Sequence, residues 1–331
     1  KSESEIITLF YDKFADIPLL SRMDAVAETF IDEIETLLNR DLPEEERIPL
    51  IEKFRKMYET MDFYVLYNRF LKKEGYQTLP RRPLEKRKLR YEDVYPVLYL
   101  KYRLSRQAER SNIKHLVIDE MQDYSRLQYL IIRRMFSCKM TILGDRAQTM
   151  ADQQQDVLQF LPGIFGKDLR RIEMRKSYRN TVEIASYAAN LIGVTDLELF
   201  ERHEMPVLER NVTDLEAALR EAVDTLFPDE KTYETAAVIV PDEKTAERAY
   251  LILREILAEK DFDCEKRLSW LNRDSSSFKK GLTVTTFYLA KGLEFDQVFS
   301  IFPKDEKREM MMQAQYIAAT RALHELRVYH I

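Results

Sequence analysis

From residue 91 to the end of the chain, short apolar segments alternate with longer amphipathic segments. The predicted strands are residues 114–119, 140–143, 170–174, 236–240, 282–287, 297–302 and 327–331. The predicted helices are residues 91–106, 126–136, 157–165, 181–192, 215–227, 244–260 and 313–323. Parallel strands of one sheet need crossover connections, which are usually helices. The alternation therefore predicts an α/β protein with parallel sheets.

Residues 1–78 have a different pattern, with helical periodicity and no strand-like segment. Ser21 and Asp24 resemble a capping box at the start of an apolar helical stripe, and Gly75 is expected to end a later helix. Residues 1–50 contain 5 basic and 13 acidic side chains, which is a formal charge of −8. We therefore predict an acidic, all-helical segment in front of the α/β part.

Composition excludes several classes of protein. The chain is 45% apolar with a net charge of −5, too apolar and too weakly charged for a disordered protein. No apolar run approaches the roughly 18 residues that cross a bilayer. Cys138 and Cys264 lie 126 positions apart without a CxxC pair, which argues against a disulfide framework or a zinc ribbon. We expect a cytoplasmic protein and, because the chain begins at Lys1 rather than Met, a piece of a longer one.

The seven glycines allow a strict test for nucleotide-binding loops. The Walker A loop, GxxxxGK[ST], needs two glycines five positions apart, and the dinucleotide fingerprint GxGxxG needs two glycines two apart. Neither spacing occurs in the sequence. Gly166 and Lys167 come nearest, but Leu161 stands at the first glycine position and Asp168 at the magnesium-coordinating Ser or Thr position. We interpret this stretch as a loop.

The densest basic run of the chain covers residues 81–90. Such a run is commonly a solvated linker. It is alternatively a surface that contacts phosphates or an acidic partner. The position of the run between the helical and the α/β parts does not choose between these two interpretations.

Two adjacent carboxylates, Asp119 and Glu120, follow the apolar stretch 116–118. The carboxyl ends of strands in open α/β sheets form ligand sites. One carboxylate can hold Mg²⁺ while its neighbour orients or deprotonates a water for phosphoryl transfer. Solvated strand-end acids are the alternative. Asp145 and Gln148 follow the next predicted strand, where they can read a phosphate and its water.

Residues 119–123 and 143–148 resemble motifs II and III of superfamily 1 helicases of the UvrD/Rep kind. Residues 177–180 are similar to motif IV of the same family. In that motif the tyrosine stacks on adenine and the arginine reaches the γ-phosphate, which implies these roles for Tyr178 and Arg179. The residues themselves also allow a packed aromatic for Tyr178 and a structural salt bridge for Arg179.

Residues 286–295 resemble motif V of these helicases. The resemblance implies that Thr286 and Tyr288 contact nucleic acid and that Gly292 and Glu294 lie near the nucleotide. Tyr288 stands where the family usually has histidine, so the sequence departs from the pattern at this contact. Gly292 is alternatively only part of a turn before the next strand.

Residues 316–322 resemble motif VI, with Arg321 as a second arginine sensor or, alternatively, a structural salt-bridge residue. The five motifs follow one another in the order of the family. The resemblance implies RecA-like parallel sheets of the P-loop NTPase type, one partial and one complete. It also implies ATP and Mg²⁺ as cofactors, with Asp119 as the magnesium ligand, Glu120 activating water and Gln148 sensing the γ-phosphate.

The same resemblance suggests a division into three parts. Residues 1–90 are expected to be a helical insertion of the first motor domain, and residues 91–165 the C-terminal part of its RecA-like sheet. Residues 166–331 are expected to form the second RecA-like domain. The resemblance implies that the intact protein is an ATP hydrolase. This chain alone is expected to be inactive, because it lacks the Walker A loop.

Only about 100 residues separate motif IV from motif V, too few for the large helical insertion of UvrD-like unwinding enzymes. The compact spacing looks most like the HelD group, whose reported role is the release and recycling of bacterial RNA polymerase. This implies a bacterial cytoplasmic protein with DNA, core RNA polymerase and the N-terminal part of its own chain as partners, and no membrane. The alternatives are a DNA translocase or helicase, and a non-catalytic scaffold that keeps the motor fold.

Overall fold

The computed structural model describes residues 2–105, 112–149, 156–194, 198–228, 232–260, 262–275, 280–304 and 309–331. The chain divides into two compact units. One consists of Lys1–Gly144 and Gln153–Leu169, and the other of Asp145–Asp152 and Arg170–Ile331. Among the described residues, no helix combines the length and the hydropathy that a membrane crossing requires.

The described residues 2–105 of the first unit contain five α-helices. They are α1 (Glu3–Thr8), α2 (Arg22–Leu38), α3 (Glu44–Arg55), α4 (Phe63–Lys73) and α5 (Tyr91–Leu104). No strand occurs in the described residues 2–105, so the predicted all-helical segment is confirmed. Gly75 adopts a left-handed φ of +77° just after α4, as expected of a residue that ends a helix.

The predicted capping box at Ser21 is wrong. Ser21 already lies in a 3₁₀ turn, Leu19–Ser21, with φ −106° and ψ −4°. Its side chain makes no capping hydrogen bond to the start of α2. An N-cap residue needs extended backbone to aim its oxygen at the first turn, and the preceding 3₁₀ turn removes that geometry.

Helices α4 and α5 pack around a buried carboxylate. Tyr67 in α4 donates a hydrogen bond from its hydroxyl to Asp93 in α5 over 2.8 Å, and Arg90 Nε lies 2.7 Å from the other oxygen of Asp93. Burial and this hydrogen bond raise the pKa of Tyr67 to about 12. The pair joins the two helices with a satisfied buried charge, which a carboxylate in an apolar contact requires.

The first unit also contains a short parallel sheet. Strands β1 (His115–Ile118) and β2 (Lys139–Ile142) pair in register, with Ile118 opposite Ile142. Helices α6 (Arg126–Met135) and α7 (Val157–Phe165) pack against these strands. The buried residues at this contact are Ile118, Tyr129, Val157 and Leu161. Both strands and both helices lie within two residues of their predicted positions.

The second unit is built around a six-stranded sheet. Its strands, with two short ones outside the sheet, are β3 (Lys176–Ser177), β4 (Glu198–Leu199), β5 (Leu208–Asn211), β6 (Thr235–Val240), β7 (Leu268–Trp270), β8 (Gly281–Thr286), β9 (Phe295–Phe302) and β10 (Ala322–His330). The order in the large sheet is β5-β10-β9-β6-β8-β7, and all neighbours are parallel. Strands β3 and β4 form a separate parallel pair.

Helices cover both faces of this sheet. They are α8 (Val182–Ile192), α9 (Leu215–Asp224), α10 (Glu243–Ala258), α11 (Cys264–Arg267) and α12 (Glu309–Ala319). Alternate residues of the central strand β6 enter two cores: Ala236, Val238 and Val240 pack with α9 and α10, while Ala237 and Ile239 pack with α8 and α12. A parallel sheet buried on both faces is the α/β class predicted from the sequence.

Two local predictions are wrong. The segment 170–174 forms no strand: Ile172 and Met174 are 85% and 86% exposed, and the pairing begins only at β3. The helix predicted over 313–323 ends at Ala319, because Ala322 already pairs with Phe295 in the sheet. In both places long-range strand pairing, not local pattern, sets the structure.

Candidate functional site

The two strand-end carboxylates lie in the first unit, directly after β1. Asp119 is exposed, and its Oδ1 accepts a hydrogen bond of 2.8 Å from the backbone N–H of Glu120. Glu120 has a left-handed φ of +51°, unusual for a residue with a side chain. Its carboxylate accepts a hydrogen bond from the amide of Gln122, which is buried. The two acids are therefore held by a tight turn.

This turn contacts the end of the neighbouring strand. The N–H of Met121 donates to the carbonyl of Leu143 over 2.8 Å. A Cβ added at Gly144 would lie 2.4 Å from Met121 Cγ and 2.5 Å from Gln122 Oε1. Such distances are far below van der Waals contact, so only glycine fits here. The structure thus brings 119–122 and 143–144 together at one end of the two-stranded sheet.

Asp145 and Gln148 lie in the second unit. Asp145 Oδ2 accepts hydrogen bonds from Gln148 Nε2 at 2.9 Å and from the Tyr316 hydroxyl at 3.1 Å. Its Oδ1 accepts from the N–H of Ala147 at 2.9 Å. Burial, together with the charge of Asp145, raises the pKa of Tyr316 above its usual range. Tyr316 therefore stays a neutral hydrogen-bond donor to this carboxylate.

Arg321 is buried in the second unit with 1% of its surface exposed. Its Nη2 donates to Gln148 Oε1 at 3.4 Å and to Thr320 Oγ1 at 3.2 Å. Its Nε and Nη1 donate to the carbonyls of Ile317 at 3.2 Å and Leu293 at 3.4 Å. Arg321, in the segment that resembles motif VI, therefore contacts Gln148, in the segment that resembles motif III, although 173 positions separate them.

Arg179 has the opposite environment. Its Nε lies 2.6 Å from Glu294 Oε1, and the two side chains are 45% and 41% exposed. Next to it, Asn180 is buried and donates from Nδ2 to the carbonyl of Ala322 at 2.6 Å. The residues resembling motifs IV, V and VI thus converge, with one arginine at the surface and one inside.

Tyr178 is 61% exposed, so the interpretation as a packed aromatic does not hold. Its ring centroid lies 5.7 Å from that of Phe200, and Lys176 Nζ lies 5.4 Å from the Tyr178 ring. Strand pairing of β3 with β4 sets this neighbourhood, because Ser177 is opposite Leu199. An exposed aromatic ring beside a cation suits stacking on a base.

The residues that resemble motif V lie in and after β8. Thr286 is buried, and its Oγ1 has no hydrogen-bond partner within the part of the chain that the structure describes. Tyr288 is half-buried and donates from its hydroxyl to Glu243 at 3.1 Å. Gly292 has φ +77° in the turn that leads to β9, as the turn interpretation expects. The hydroxyl of Thr286 is therefore a buried donor of the kind that an ordered water commonly satisfies.

Three contact residues have no assigned role in the sequence analysis. Asn180 and Tyr316 lie inside motif-like segments, and Arg202 lies outside all of them. Asn180 and Tyr316 each form a hydrogen bond with a residue more than 100 positions away. Arg202 forms two, with residues 23 and 121 positions away. Local patterns carry no signal for such pairings.

Glu183, in the first turn of α8, supports a prediction about acid stability. Burial raises the pKa of its carboxyl, but hydrogen bonds from His203 Nδ1 at 2.8 Å and from the N–H of Glu204 outweigh this effect. The result is a pKa of about 2, against 4.5 ordinarily. The stabilisation is therefore complete above pH 4.5 and is lost as the pH falls towards 2.

We expect Glu183→Gln to lower the free energy of unfolding at pH 6 and to have little effect at pH 2. Urea denaturation at a series of pH values measures this. Glu247→Gln, at an exposed position on α10, serves as the control and should leave the pH profile unchanged. Parallel profiles for the wild type and Glu183→Gln would contradict the prediction.

One protein-family model matches part of the chain. Residues 5–150 match the UvrD/REP helicase N-terminal domain. No curated protein matches the sequence. Among solved structures, the chain resembles the C-terminal domain of a possible DNA helicase from Lactobacillus plantarum WCFS1, with 23% identity and a TM-score of 0.37. That match covers 47% of this chain and 88% of the other.

Two viral helicase structures are also similar. The PRRSV helicase has 17% identity and a TM-score of 0.36, covering 66% of this chain and 35% of the helicase. Arterivirus nonstructural protein 10, a helicase in complex with DNA, has 14% identity and a TM-score of 0.35. That match covers 68% of this chain and 40% of the viral protein. The chain thus spans less than half the length of either viral helicase.

Proposed function

We propose that this chain is part of an ATP-dependent motor of helicase superfamily 1, the class to which the match of residues 5–150 points. The observation that carries the proposal is the hydrogen bond between Arg321 and Gln148. The resemblance implies that Gln148 senses the γ-phosphate and that Arg321 is the second arginine sensor, and the two side chains meet although 173 positions separate them. A contact between two such sensors is what a nucleotide site built from distant motifs requires.

The remaining roles follow the chemistry of each residue. Glu120 orients or deprotonates the attacking water, and its turn geometry holds it close to Asp119. Arg179 and Arg321 neutralise charge that develops on the transferred phosphoryl group. Tyr178 offers an exposed ring for the adenine.

Four further residues complete the proposed contacts. In this proposal Gly292 and Glu294, in the turn after β8, lie near the nucleotide. Glu294 pairs with Arg179. Thr286 lies at the end of β8 and, with Tyr288, faces nucleic acid in this proposal.

Magnesium binding at Asp119 fits the donor set. Among the described residues, no group of three or more His, Cys, Asp or Glu side chains is arranged to hold a metal ion. Mg²⁺ in phosphoryl-transfer sites is usually bound by one or two carboxylates plus waters and substrate phosphates. A single exposed strand-end carboxylate matches that mode. When bound with ATP, the ion held by Asp119 would offset the negative charge of the phosphate groups.

The chain by itself is proposed to be inactive. The spacing of its glycines leaves no Walker A loop, and the backbone N–H groups of that loop are what cradle the phosphates. In the proposed intact protein, another part of the polypeptide supplies the loop. Its cellular setting in this proposal is the bacterial cytoplasm.

The finer proposal concerns the partner. We propose a HelD-like motor that couples hydrolysis to the release of core RNA polymerase or to movement along DNA. The acidic helical segment, with a charge of −8 in residues 1–50, supports a protein partner with a basic surface better than tight DNA binding by this segment.

Steady-state ATP hydrolysis by the intact polypeptide tests the proposal. Turnover is measured for the protein alone, for the protein with single-stranded DNA, and for the protein with core RNA polymerase. All three measurements use one moderate salt concentration, because phosphate contacts are salt-sensitive. Stimulation by DNA favours a translocase, whereas stimulation only by polymerase favours the recycling factor. Magnesium-dependent turnover by the 331-residue chain would refute its proposed inactivity.

We expect Glu120→Gln to reduce turnover of the intact protein by about 10²-fold or more, because the amide cannot accept the proton of the water. Glu85→Gln, at an exposed position in a short 3₁₀ turn, is the matched control and should retain full activity. Wild-type turnover by Glu120→Gln would sink the assigned role of this carboxylate.

A further inference from the structure

Arg202 lies outside every motif-like segment, in the stretch between β4 and β5. Its Nη2 donates two hydrogen bonds, one to the carbonyl of Arg179 and one of 2.6 Å to the carbonyl of Leu323. The first carbonyl belongs to Arg179, the exposed member of the two proposed arginine sensors. The second lies two residues after Arg321. A single nitrogen atom is therefore hydrogen-bonded to the backbone at or near both proposed arginine sensors.

The two residues after Arg202 continue this cross-link. His203 Nδ1 lies 2.8 Å from Glu183 in α8, and Glu204 Oε1 lies 2.6 Å from His324 Nδ1 in β10. We name residues 202–204 the strap. The carbonyl of Arg202 also accepts a hydrogen bond from the N–H of Val182 at 2.9 Å. The strap thus binds the start of α8 on one side and the start of β10 on the other.

Asn180 makes a second, parallel connection. Its Nδ2 donates to the carbonyl of Ala322 at 2.6 Å and to that of Thr320 at 3.3 Å. Together with Arg202, it fixes residues 179–180 against residues 320–323. Backbone carbonyl groups that are shielded from water need hydrogen-bond donors. The side chains of Arg202 and Asn180, rather than those of the two proposed sensors, therefore set the distance between the two segments.

We propose that Arg202 is a positioning residue that holds the Arg179 and Arg321 segments at their working separation. The role rests on the proposed function, since it serves two arginines assigned to the phosphoryl group. A misplacement of about 1 Å in such groups costs about 10²-fold in rate. Arg202 touches neither nucleotide nor reacting atoms in this proposal and acts only through the backbones it joins.

The nature of the contact predicts which substitution works. Both hydrogen bonds leave from a single nitrogen, and the buried Nε of Arg202 has no hydrogen-bond partner among the described residues. A lysine ammonium has three donors on one nitrogen and brings no buried Nε. Arg202→Lys is therefore expected to replace Arg202, whereas Arg202→Met keeps the stem and removes both donors.

Kinetics of the intact protein give the first test. We expect Arg202→Met to lower kcat for ATP by about tenfold or more, with KM changed by less than about threefold, because the sensors act on the transition state. Arg202→Lys should stay within about threefold of wild type in both. Arg210→Met, an exposed β5 arginine paired with Glu221, is the control and should behave as wild type. A wild-type kcat for Arg202→Met, or equal losses in Arg202→Met and Arg202→Lys, would overturn the proposal.

Hydrogen–deuterium exchange on the 331-residue chain gives a second test that needs no activity. Arg202→Met should speed exchange of amides in residues 178–182 and 320–324 while leaving those of β6 and β8 unchanged, and Arg202→Lys should restore protection. Unchanged protection in these segments would overturn the proposal. If the wild-type intact protein hydrolyses no ATP, the proposed function fails, and the exchange result still decides whether Arg202 joins the two segments.

Discussion

Arg321→Leu is expected to lower the free energy of unfolding of the chain by about 3–5 kcal/mol. Arg321 is buried, and its guanidinium donates hydrogen bonds to Gln148, Ile317, Leu293 and Thr320. Leucine removes all of these donors and leaves buried oxygen atoms without partners. Each such loss costs about 1–3 kcal/mol. Urea denaturation of wild type and variant measures the difference.

If Arg321 is the proposed arginine sensor, the same substitution is expected to reduce ATP turnover by the intact protein by about 10³-fold or more. Stability and activity therefore fall together for Arg321. A folded Arg321→Leu protein with wild-type stability would contradict the observed burial, and one with wild-type turnover would contradict the sensor role.

Arg179→Met is the matched comparison, because it removes the other proposed sensor from an exposed position. Its ion pair with Glu294 is about half exposed at both partners. Exposed pairs contribute about 1 kcal/mol or less, so stability should change little. Turnover should nevertheless fall by a similar factor to that of Arg321→Leu. The pair of variants thus separates catalytic loss from structural loss.

Gly144→Ala is expected to destabilise the first unit by about 3 kcal/mol. The new Cβ would lie 2.4 Å from Met121 Cγ and 2.7 Å from the backbone N of Met121. A side chain can rotate away, but the backbone contact forces the turn that carries Glu120 to move. Turnover of the intact protein should therefore fall by about 10²-fold as well.

Gly163→Ala is the control for this change. Gly163 lies inside helix α7, and an added Cβ meets nothing within 4 Å. Alanine in a helix interior is favoured over glycine by about 0.5–1 kcal/mol, so this variant should be slightly more stable than wild type. Thermal denaturation of both variants tests whether Gly144→Ala lowers and Gly163→Ala raises the stability. Equal stability of Gly144→Ala and wild type would show that the turn yields without cost.

Much of the fold could be predicted because local patterns are strong. Strand β6 consists of six consecutive small or β-branched residues, and the helices on either side begin at capping side chains. Asp214 accepts from the N–H of Ala217, and Asp242 from that of Thr245, each near 3 Å. Caps and apolar runs depend on neighbours within four positions, so the sequence alone contains that information.

The segment from 170 to 174 and the end of α12 show where local patterns stop being sufficient. Ile172 and Met174 alternate with polar residues as in a strand, yet they find no partner strand and stay exposed. Ala322 reads as the continuation of a helix, yet it pairs with Phe295. A strand exists only where another strand offers its backbone, and that depends on distant parts of the chain.

The sequence by itself determined the α/β class, the helical start of the chain, the absence of a Walker A loop and the order of the motif-like segments. Only the tertiary structure decided that Arg321 is buried against Gln148 while Arg179 lies at the surface with Glu294. It also brought Arg202 to both backbones. The reason is physical: burial and hydrogen-bond partners are properties of groups that meet in space, and these groups meet across 20 to more than 170 positions of the chain.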